Sequence, residues 1–399
     1  MKEMQIAPDT YWVGVNDRTT DLFEGLWPIK GVGISYNSYI IKDEKNVLID
    51  LSSSMKTDEY LEQISRIVEI EKLDYVVINH MEPDHTGILK TLRMISNDFE
   101  IICSPKAVQM LQNYYGVSGK ITAVKSGETL SLGKRKLQFH HVPFVHWPET
   151  MVTYDPLSRT LFSCDAFGGY GTIEGILFDD ECSSISYYEN ESLRYYTNIV
   201  AKFSNNVLNA ISKLGGLDIG IIAPSHGLIW RKNPQRIIEL YKEWAGYGKN
   251  GGKKGVTLLY GSMYGNTETM MGAVARGLSE GGIQPEIFDV ARTHTSHILP
   301  SLWKNKGVII GAPTYEVSLF PYMQQALQKA VIKNVKHKRA AYFGSYGWSK
   351  GALKKVTDMT SSLDWDILEG FEFAGGVTPE LYEEGFQLGK RFADALNQL

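Results

Sequence analysis

Short apolar runs between polar turns dominate the first part of the chain. Tyr39-Ile40-Ile41 and Val47-Leu48-Ile49 flank the polar stretch Lys42–Asn46, which predicts a β-hairpin. Tyr75-Val76-Val77-Ile78 is apolar without alternation, as expected of a short strand buried on both faces. Helical periodicity follows from Thr86 to Ile95. Ile101-Ile102 and then Lys106–Tyr115 repeat the strand–helix order. From Ile121 to Phe162 apolar and polar positions alternate between turn residues, which predicts a β-rich region. Tyr187–Leu214 reads as helical, Ile219–Ala223 as a buried strand and Pro234–Ala245 as a helix.

The later part alternates regularly. Strands are predicted at Val256–Tyr260, Glu286–Val290, Gly307–Gly311, Ala340–Gly344 and Ile367–Phe373, with helical stretches between them and after the last. Such alternation implies a parallel, doubly wound sheet. Between the two parts lies Gly246-Tyr247-Gly248-Lys249-Asn250-Gly251-Gly252-Lys253-Lys254-Gly255. Glycine removes backbone preference and lysine keeps the segment wet, so it reads as a linker. The expected domains are residues 1–250 and 251–399.

Composition narrows the function. The 399 residues are 43% hydrophobic and 22% charged, with a net charge of −4. That suits two globular cores and excludes nucleic acid as a main partner. Cys103, Cys164 and Cys182 are few and lack C-x-x-C spacing, which disfavours a disulfide framework or a zinc ribbon. They read as small buried residues, reduced as in the cytoplasm. The N-terminal Met-Lys-Glu-Met-Gln-Ile-Ala-Pro has no signal-type apolar stretch, and no run approaches the ~18 apolar residues of a membrane span. The expectation is a cytoplasmic protein with no membrane or nucleic-acid partner.

Metal-binding residue types gather at strand ends. His80-Met81-Glu82-Pro83-Asp84-His85 follows directly on a buried strand and holds four potential ligands. A loop leaving a buried strand is anchored at its base, which preorganises a site. His146 in Val145–Glu149, Asp165 in Phe162–Gly168 and His226 in Ala223–Gly227 each follow an apolar run and precede turn residues. His140 and His141 match no such position and read as strand residues. A carboxylate at Glu82, among histidines, makes the set hard and anionic, which favours iron over a hydrolytic zinc pair.

The second part carries a different signal. Its first strand runs into Gly261-Ser262-Met263-Tyr264-Gly265-Asn266-Thr267, and a helix begins at Thr267. Hydroxyl, amide and glycine residues at a strand-to-helix turn form an anion nest, and the absence of a basic residue suits a monophosphate held by neutral donors. The third strand ends in Pro313-Thr314-Tyr315-Glu316 and the fourth in Gly344-Ser345-Tyr346-Gly347-Trp348. Tyr315, Tyr346 and Trp348 offer flat surfaces at the strand ends, where ligands of doubly wound sheets lie. Lys350 adds a positive charge beside them.

The first set resembles the metallo-β-lactamase superfamily motif H-x-H-x-D-H followed by His, Asp and His, with Glu82 in place of the second histidine. That variant is the pattern of the flavodiiron proteins, and Ser262–Thr267 resembles the flavodoxin loop that holds the FMN phosphate. The resemblance covers nearly the whole chain. It implies an αββα metallo-β-lactamase-like sandwich followed by a flavodoxin-like α/β domain. It implies a non-haem diiron centre: His80, Glu82 and His146 on one iron, Asp84, His85 and His226 on the other, and Asp165 bridging. His85 is the ligand that turns away in some members. Backbone groups of residues 313–316 and 345–348 would contact the flavin edge, and Tyr195, of the pair Tyr195-Tyr196, would donate a hydrogen bond near the irons.

The activity implied is reduction of O2 to water, of NO to N2O, or of both, with electrons relayed through FMN. Because the sequence carries no rubredoxin module, a separate rubredoxin-type donor is expected. A head-to-tail homodimer, or a dimer of dimers, is implied as well, bringing one subunit's flavin to the other's irons. Two other readings compete: a dinuclear metallohydrolase of thioesterase or glyoxalase type fused to an electron carrier, and a pure electron-transfer module.

Overall fold

The computed structural model describes residues 3–399; Met1 and Lys2, within the N-terminal stretch read above, lie outside them. The chain divides into two compact units, Met1–Lys242 and Glu243–Leu399.

The first unit is built on two sheets. One contains β1 (Met4–Ala7), β2 (Thr10–Trp12), β3 (Tyr39–Ile41), β4 (Val47–Ile49), β5 (Tyr75–Ile78), β6 (Glu100–Cys103) and β7 (Ile121–Ala123), in that spatial order. The other contains β8 (Thr129–Ser131), β9 (Lys136–His141), β10 (Met151–Asp155), β11 (Thr160–Cys164) and β12 (Ile221–Pro224), also in chain order. The predicted hairpin is present as the antiparallel pair β3–β4, and β5 lies parallel between β4 and β6. Tyr39, Ile41, Val47, Ile49, Val77 and Ile102 from the first sheet pack with Leu137, Phe139, Met151, Phe162 and Ala223 from the second in one apolar core. Helices Thr57–Ile67, Leu89–Ile95 and Pro105–Tyr115 alternate with the first sheet's strands. The helical stretch at Tyr187–Leu214 is two α-helices, Ile185–Tyr195 and Ser204–Leu214, joined by a π turn at Tyr196–Val200 and a short 3-10 turn.

Strand direction sets where the loops go. β4, β5 and β6 are parallel, so Asp50, Asn79 and Ser104 leave the first sheet at one edge. In the second sheet β9 and β11 are both antiparallel to β10, and β12 is parallel to β11. The segments carrying His146, Asp165 and His226 therefore leave that sheet at one edge too.

The second unit is a five-stranded sheet of β13 (Lys253–Tyr260), β14 (Glu286–Asp289), β15 (Asn305–Gly311), β16 (Arg339–Tyr346) and β17 (Asp366–Ala374), ordered β14-β13-β15-β16-β17. Every pairing is parallel, as the strand–helix alternation predicts. The order reverses at β13, which places a switch point between β13 and β15.

The predicted linker is not one. Helix Pro234–Asn250 runs through Gly246 and Gly248, and β13 starts at Lys253. Gly251 and Gly252 have φ of 83° and 105°. A Cβ at Gly251 would lie 2.1 Å from the His337 carbonyl oxygen, so the glycines serve a close approach of backbones rather than flexibility. Beside them the buried Lys338 ammonium donates to the carbonyls of Gly251 (2.6 Å), Trp303 (3.1 Å) and Asn305 (2.8 Å). All three donors of the ammonium are thereby satisfied inside the fold. Lys338→Met would keep the apolar stem and remove the donors, leaving carbonyls without this partner. The expected cost is about 2 kcal/mol or more, read as a lower denaturant midpoint for the second unit.

Candidate metal and flavin sites

Backbone hydrogen bonds fix the loop after β5 before any ligand is considered. Asn79 N–H and Nδ2 donate to the two carboxylate oxygens of buried Asp50 (2.7 and 2.9 Å), and Thr153 Oγ1 donates to Asn79 Oδ1 (2.8 Å). Pro83 opens a single helical turn, Pro83–Thr86, which turns Asp84 and His85 back towards the sheets. Thr86 Oγ1 donates to the Glu82 carbonyl at 2.9 Å, and Leu51 N–H donates to the His85 carbonyl at 2.9 Å. On the second sheet Cys164 takes φ of 53°, a left-handed conformation costing about 1 kcal/mol in a non-glycine residue. It turns the chain so that Asp165 faces the loop after β5.

The seven residues predicted from sequence converge. Ligand atoms of His80, Glu82, His146 and Asp165 lie within 4.8 Å of one another, and those of Asp84, His85 and His226 form a second such group. Asp165 reaches both. Its Oδ2 is 3.4 Å from His80 Nε2 and 3.3 Å from His146 Nε2. Its Oδ1 is 2.9 Å from His85 Nε2 and 3.4 Å from His226 Nε2. Glu82 Oε2 approaches His146 Nε2 at 3.0 Å, and Asp84 Oδ2 approaches His226 Nε2 at 3.2 Å. His140 and His141 end β9, and His141 Nε2 is 2.9 Å from the Val124 carbonyl, apart from this cluster.

The electrostatics call for cations. Burial opposes charge on the imidazoles, yet the Asp165 and Glu82 carboxylates raise His146 to about 9, and Asp165 and Asp84 raise His226 to about 10. Burial likewise opposes ionisation of Asp165 and Glu82, and the surrounding histidines hold both below the usual carboxylate range. Both oxygens of Asp84, Oδ2 of Asp165 and Nε2 of His226 are buried without a hydrogen-bond partner. Orphaned lone pairs aimed at common points are what a pair of metal ions would satisfy. Three carboxylates and four imidazoles suit iron better than a soft metal.

Several contributors escaped the sequence reading. Glu149 Oε1 is 2.7 Å from His80 Nδ1 and accepts from Met81 N–H at 2.9 Å. It fixes the tautomer that leaves Nε2 facing the site. The Ser35 carbonyl does the same for His226 Nδ1 at 2.7 Å. Phe23, Tyr36, Tyr170 and Trp147 wall the site: Phe23 and Tyr36 centre 5.6 and 5.7 Å from His226, and Trp147 centres 5.1 Å from His80. Of these, Trp147 and Glu149 left a local signal, one and three positions after His146. Tyr195 donates its hydroxyl hydrogen to Asp165 Oδ1 at 2.9 Å. Burial, and then the Asp165 charge, push its phenol well above the ordinary value, so it is a neutral donor.

In the second unit the loop after β13 closes with Gly265 N–H donating to Ser262 Oγ at 3.1 Å. Gly265 has φ of 89° and caps helix Asn266–Glu280 without a side-chain bond, so the first N–H groups of the helix stay available to an anion. Thr267 Oγ1 lies 3.1 Å from Ser345 Oγ, tying the first loop to the fourth. Thr314–Tyr315 pairs with Ser318–Leu319 across Glu316 and Val317, both at positive φ. Pro313 and Gly344 lead into these two strand-end loops. Met263, Tyr264, Tyr315 and Trp348 are exposed, Trp348 at 80%, while Tyr346 is half-buried with Lys350 Nζ 5.4 Å from its ring centre. An open anion nest beside exposed flat rings fits a phosphorylated flavin.

Comparison with known proteins agrees with both halves. Residues 34–227 match the ODP family β-lactamase model, and residues 258–389 match the flavodoxin model. An anaerobic nitric oxide reductase flavorubredoxin of Klebsiella pneumoniae is 37% identical over 354 residues, 87% of this chain and 72% of that protein. The chain belongs to the flavodiiron protein family. Among solved structures, rubredoxin oxygen:oxidoreductase from Desulfovibrio gigas superposes with a TM-score of 0.94 at 28% identity, covering 100% of this chain and 99% of that one. The flavodiiron protein from Giardia intestinalis gives 0.94 at 29%, covering 100% and 97%.

Membership makes this flavodiiron protein an oxidoreductase, with FMN in its flavodoxin unit and a non-haem diiron centre in its β-lactamase-like unit. No helix among the described residues is long and apolar enough to cross a membrane. Two predictions follow from the geometry. Because His146 and His226 carry protons at neutral pH without metal, ferrous iron uptake by the apo-protein should release protons and tighten as pH rises towards 9. Dye-monitored proton release checks this. Glu149→Gln should weaken iron binding about 10- to 100-fold, measured by competition with a chelator.

Proposed function

We propose that the domain at residues 1–250 reduces O2 to water, NO to N2O, or both, with electrons delivered by the FMN domain at residues 251–399. The observation that supports this best is the pair of buried ligand groups sharing the Asp165 carboxylate. When bound, two irons would supply the electrons that reduce a diatomic gas.

The chain's own residues do the rest. His80, Glu82 and His146 would hold one metal, and Asp84, His85 and His226 the other, with Asp165 in reach of both groups. Glu149 and the Ser35 carbonyl lock the ring orientations of His80 and His226. Phe23, Tyr36 and Tyr170 exclude water from the His226 side. Tyr195, held on Asp165 Oδ1, is the group placed to donate a hydrogen bond to reduced oxygen or nitrogen species. In the second unit Ser262, Met263, Tyr264, Gly265, Asn266 and Thr267 hold the FMN phosphate. Pro313, Thr314, Tyr315 and Glu316, with Gly344, Ser345, Tyr346, Gly347 and Trp348, hold the ring.

A rubredoxin-type protein is the proposed donor, in keeping with the name of the Desulfovibrio gigas relative. The working form is a cytoplasmic head-to-tail homodimer or dimer of dimers, without nucleic-acid or membrane partners. Hydrolysis by a dinuclear zinc site is disfavoured by Glu82, a carboxylate where zinc hydrolases of this fold carry histidine.

Anaerobic protein with counted iron and FMN, mixed with a reduced rubredoxin-type donor, should consume O2 or NO. The faster gas assigns the role. Zinc in place of iron with no consumption of either gas would sink the proposal. Asp165→Ala should abolish gas consumption while leaving reduction of FMN by the donor intact, followed by flavin bleaching in a stopped-flow instrument.

A further inference from the structure

A third group of potential ligands overlaps the diiron arrangement and adds Cys164 to it. A ring nitrogen of His85, the thiol sulfur of Cys164 and a carboxylate oxygen of Asp165 lie within 4.8 Å of one another, and all three residues are buried. Within this trio His85 Nδ1 is buried without a hydrogen-bond partner. Cys164 is in no disulfide. Its left-handed backbone turns the next residue, Asp165, towards the site.

Nitrogen, oxygen and sulfur donors in one cluster differ in kind from the two groups of nitrogen and oxygen donors described above. Around a single zinc-sized ion such donors sit about 3.5 Å apart, given metal–ligand bonds of about 2.0 to 2.3 Å. A thiolate among the ligands selects a soft or borderline cation over ferrous iron.

We propose that His85, Cys164 and Asp165 form a thiolate-containing site for a soft divalent cation of the zinc and cadmium class. Binding exchanges the Cys164 thiol proton, released to solvent, for a metal–sulfur bond, with no change of oxidation state. The site shares His85 and Asp165 with the diiron arrangement, so the two occupancies exclude each other. A soft cation there denies the second iron both a ligand and the bridge. The fold thus carries a built-in route to inactivation by thiophilic metals. This goes beyond gas reduction and holds whichever gas is the substrate.

The test uses the full-length, FMN-loaded protein freed of iron, titrated anaerobically with cadmium ions. The readout is thiolate-to-cadmium charge-transfer absorption, taken as a difference spectrum. The wild type should gain this band, saturating at one thiolate-bound cadmium per chain. Cys164→Ser should lose it, and Cys103→Ser and Cys182→Ser should keep it. Absence of the band in the wild type overturns the proposal, and so does its persistence in Cys164→Ser. If Cys164→Ser does not fold, the other two variants still decide, because loss of the band in either assigns the sulfur elsewhere. Neither iron nor gas is present, so failure here is distinct from failure of the gas-reduction reading.

Discussion

Burying negative charge without a partner is the constraint on which the first unit depends. Asp165 is fully enclosed, and Glu82 and Asp84 are largely so. Desolvating one carboxylate costs several kcal/mol, and three close together repel one another as well. The fold meets this by surrounding Asp165 with four imidazoles, two against each oxygen. The carboxylates raise all four imidazoles above their ordinary value against the opposing effect of burial, so positive charge is favoured inside the cluster. Positive charge inside the cluster offsets its buried carboxylates, a condition that metal ions at the same place would also meet.

The surrounding structure exists to hold that cluster against relaxation. Strands of both sheets end in ligand loops, and each loop is fixed by bonds that do not involve ligand atoms. Asp50 and Thr153 hold Asn79, Glu149 holds Met81, and Asn37 donates to the Pro224 and Gly227 carbonyls, both at 2.9 Å. Gly227, at φ of 75°, packs against Gly169 so closely that a Cβ would lie 3.2 Å from its backbone nitrogen. These contacts join segments far apart in sequence, so the ligand positions are a property of the whole unit.

That distinction explains what could be read from the sequence. The ligand loops were legible because strand, turn and metal-binding residue types are adjacent in the chain. The parallel sheet of the second unit was legible because βα alternation is a local pattern. Ser35, Phe23 and Tyr36 were not, because they reach His226 from nearly two hundred positions away and carry no metal-binding pattern of their own. The segment Gly246–Gly255 misled for the opposite reason. Its composition is that of a linker, yet its glycines answer a crowding by His337 and Lys304 backbone that no local pattern reveals. Glycine content reports conformational freedom and steric need alike, and only the partner backbone separates the two.

Tyr195 shows how one position can serve both the cluster and its chemistry. It lies at the end of helix Ile185–Tyr195, where the π turn begins, and its ring stacks edge-on with Tyr170 at 5.2 Å. Its hydroxyl shares Asp165 Oδ1 with His85, both at 2.9 Å. Each group on that oxygen therefore competes for the same lone pairs. A cation held between His85 and Asp165 would compete with the Tyr195 hydroxyl for the lone pairs of Oδ1. Since burial and the Asp165 charge keep the phenol protonated, the hydroxyl can only donate. Asp165 Oδ1 thus ties the position of this donor to the same oxygen that faces His85 and His226.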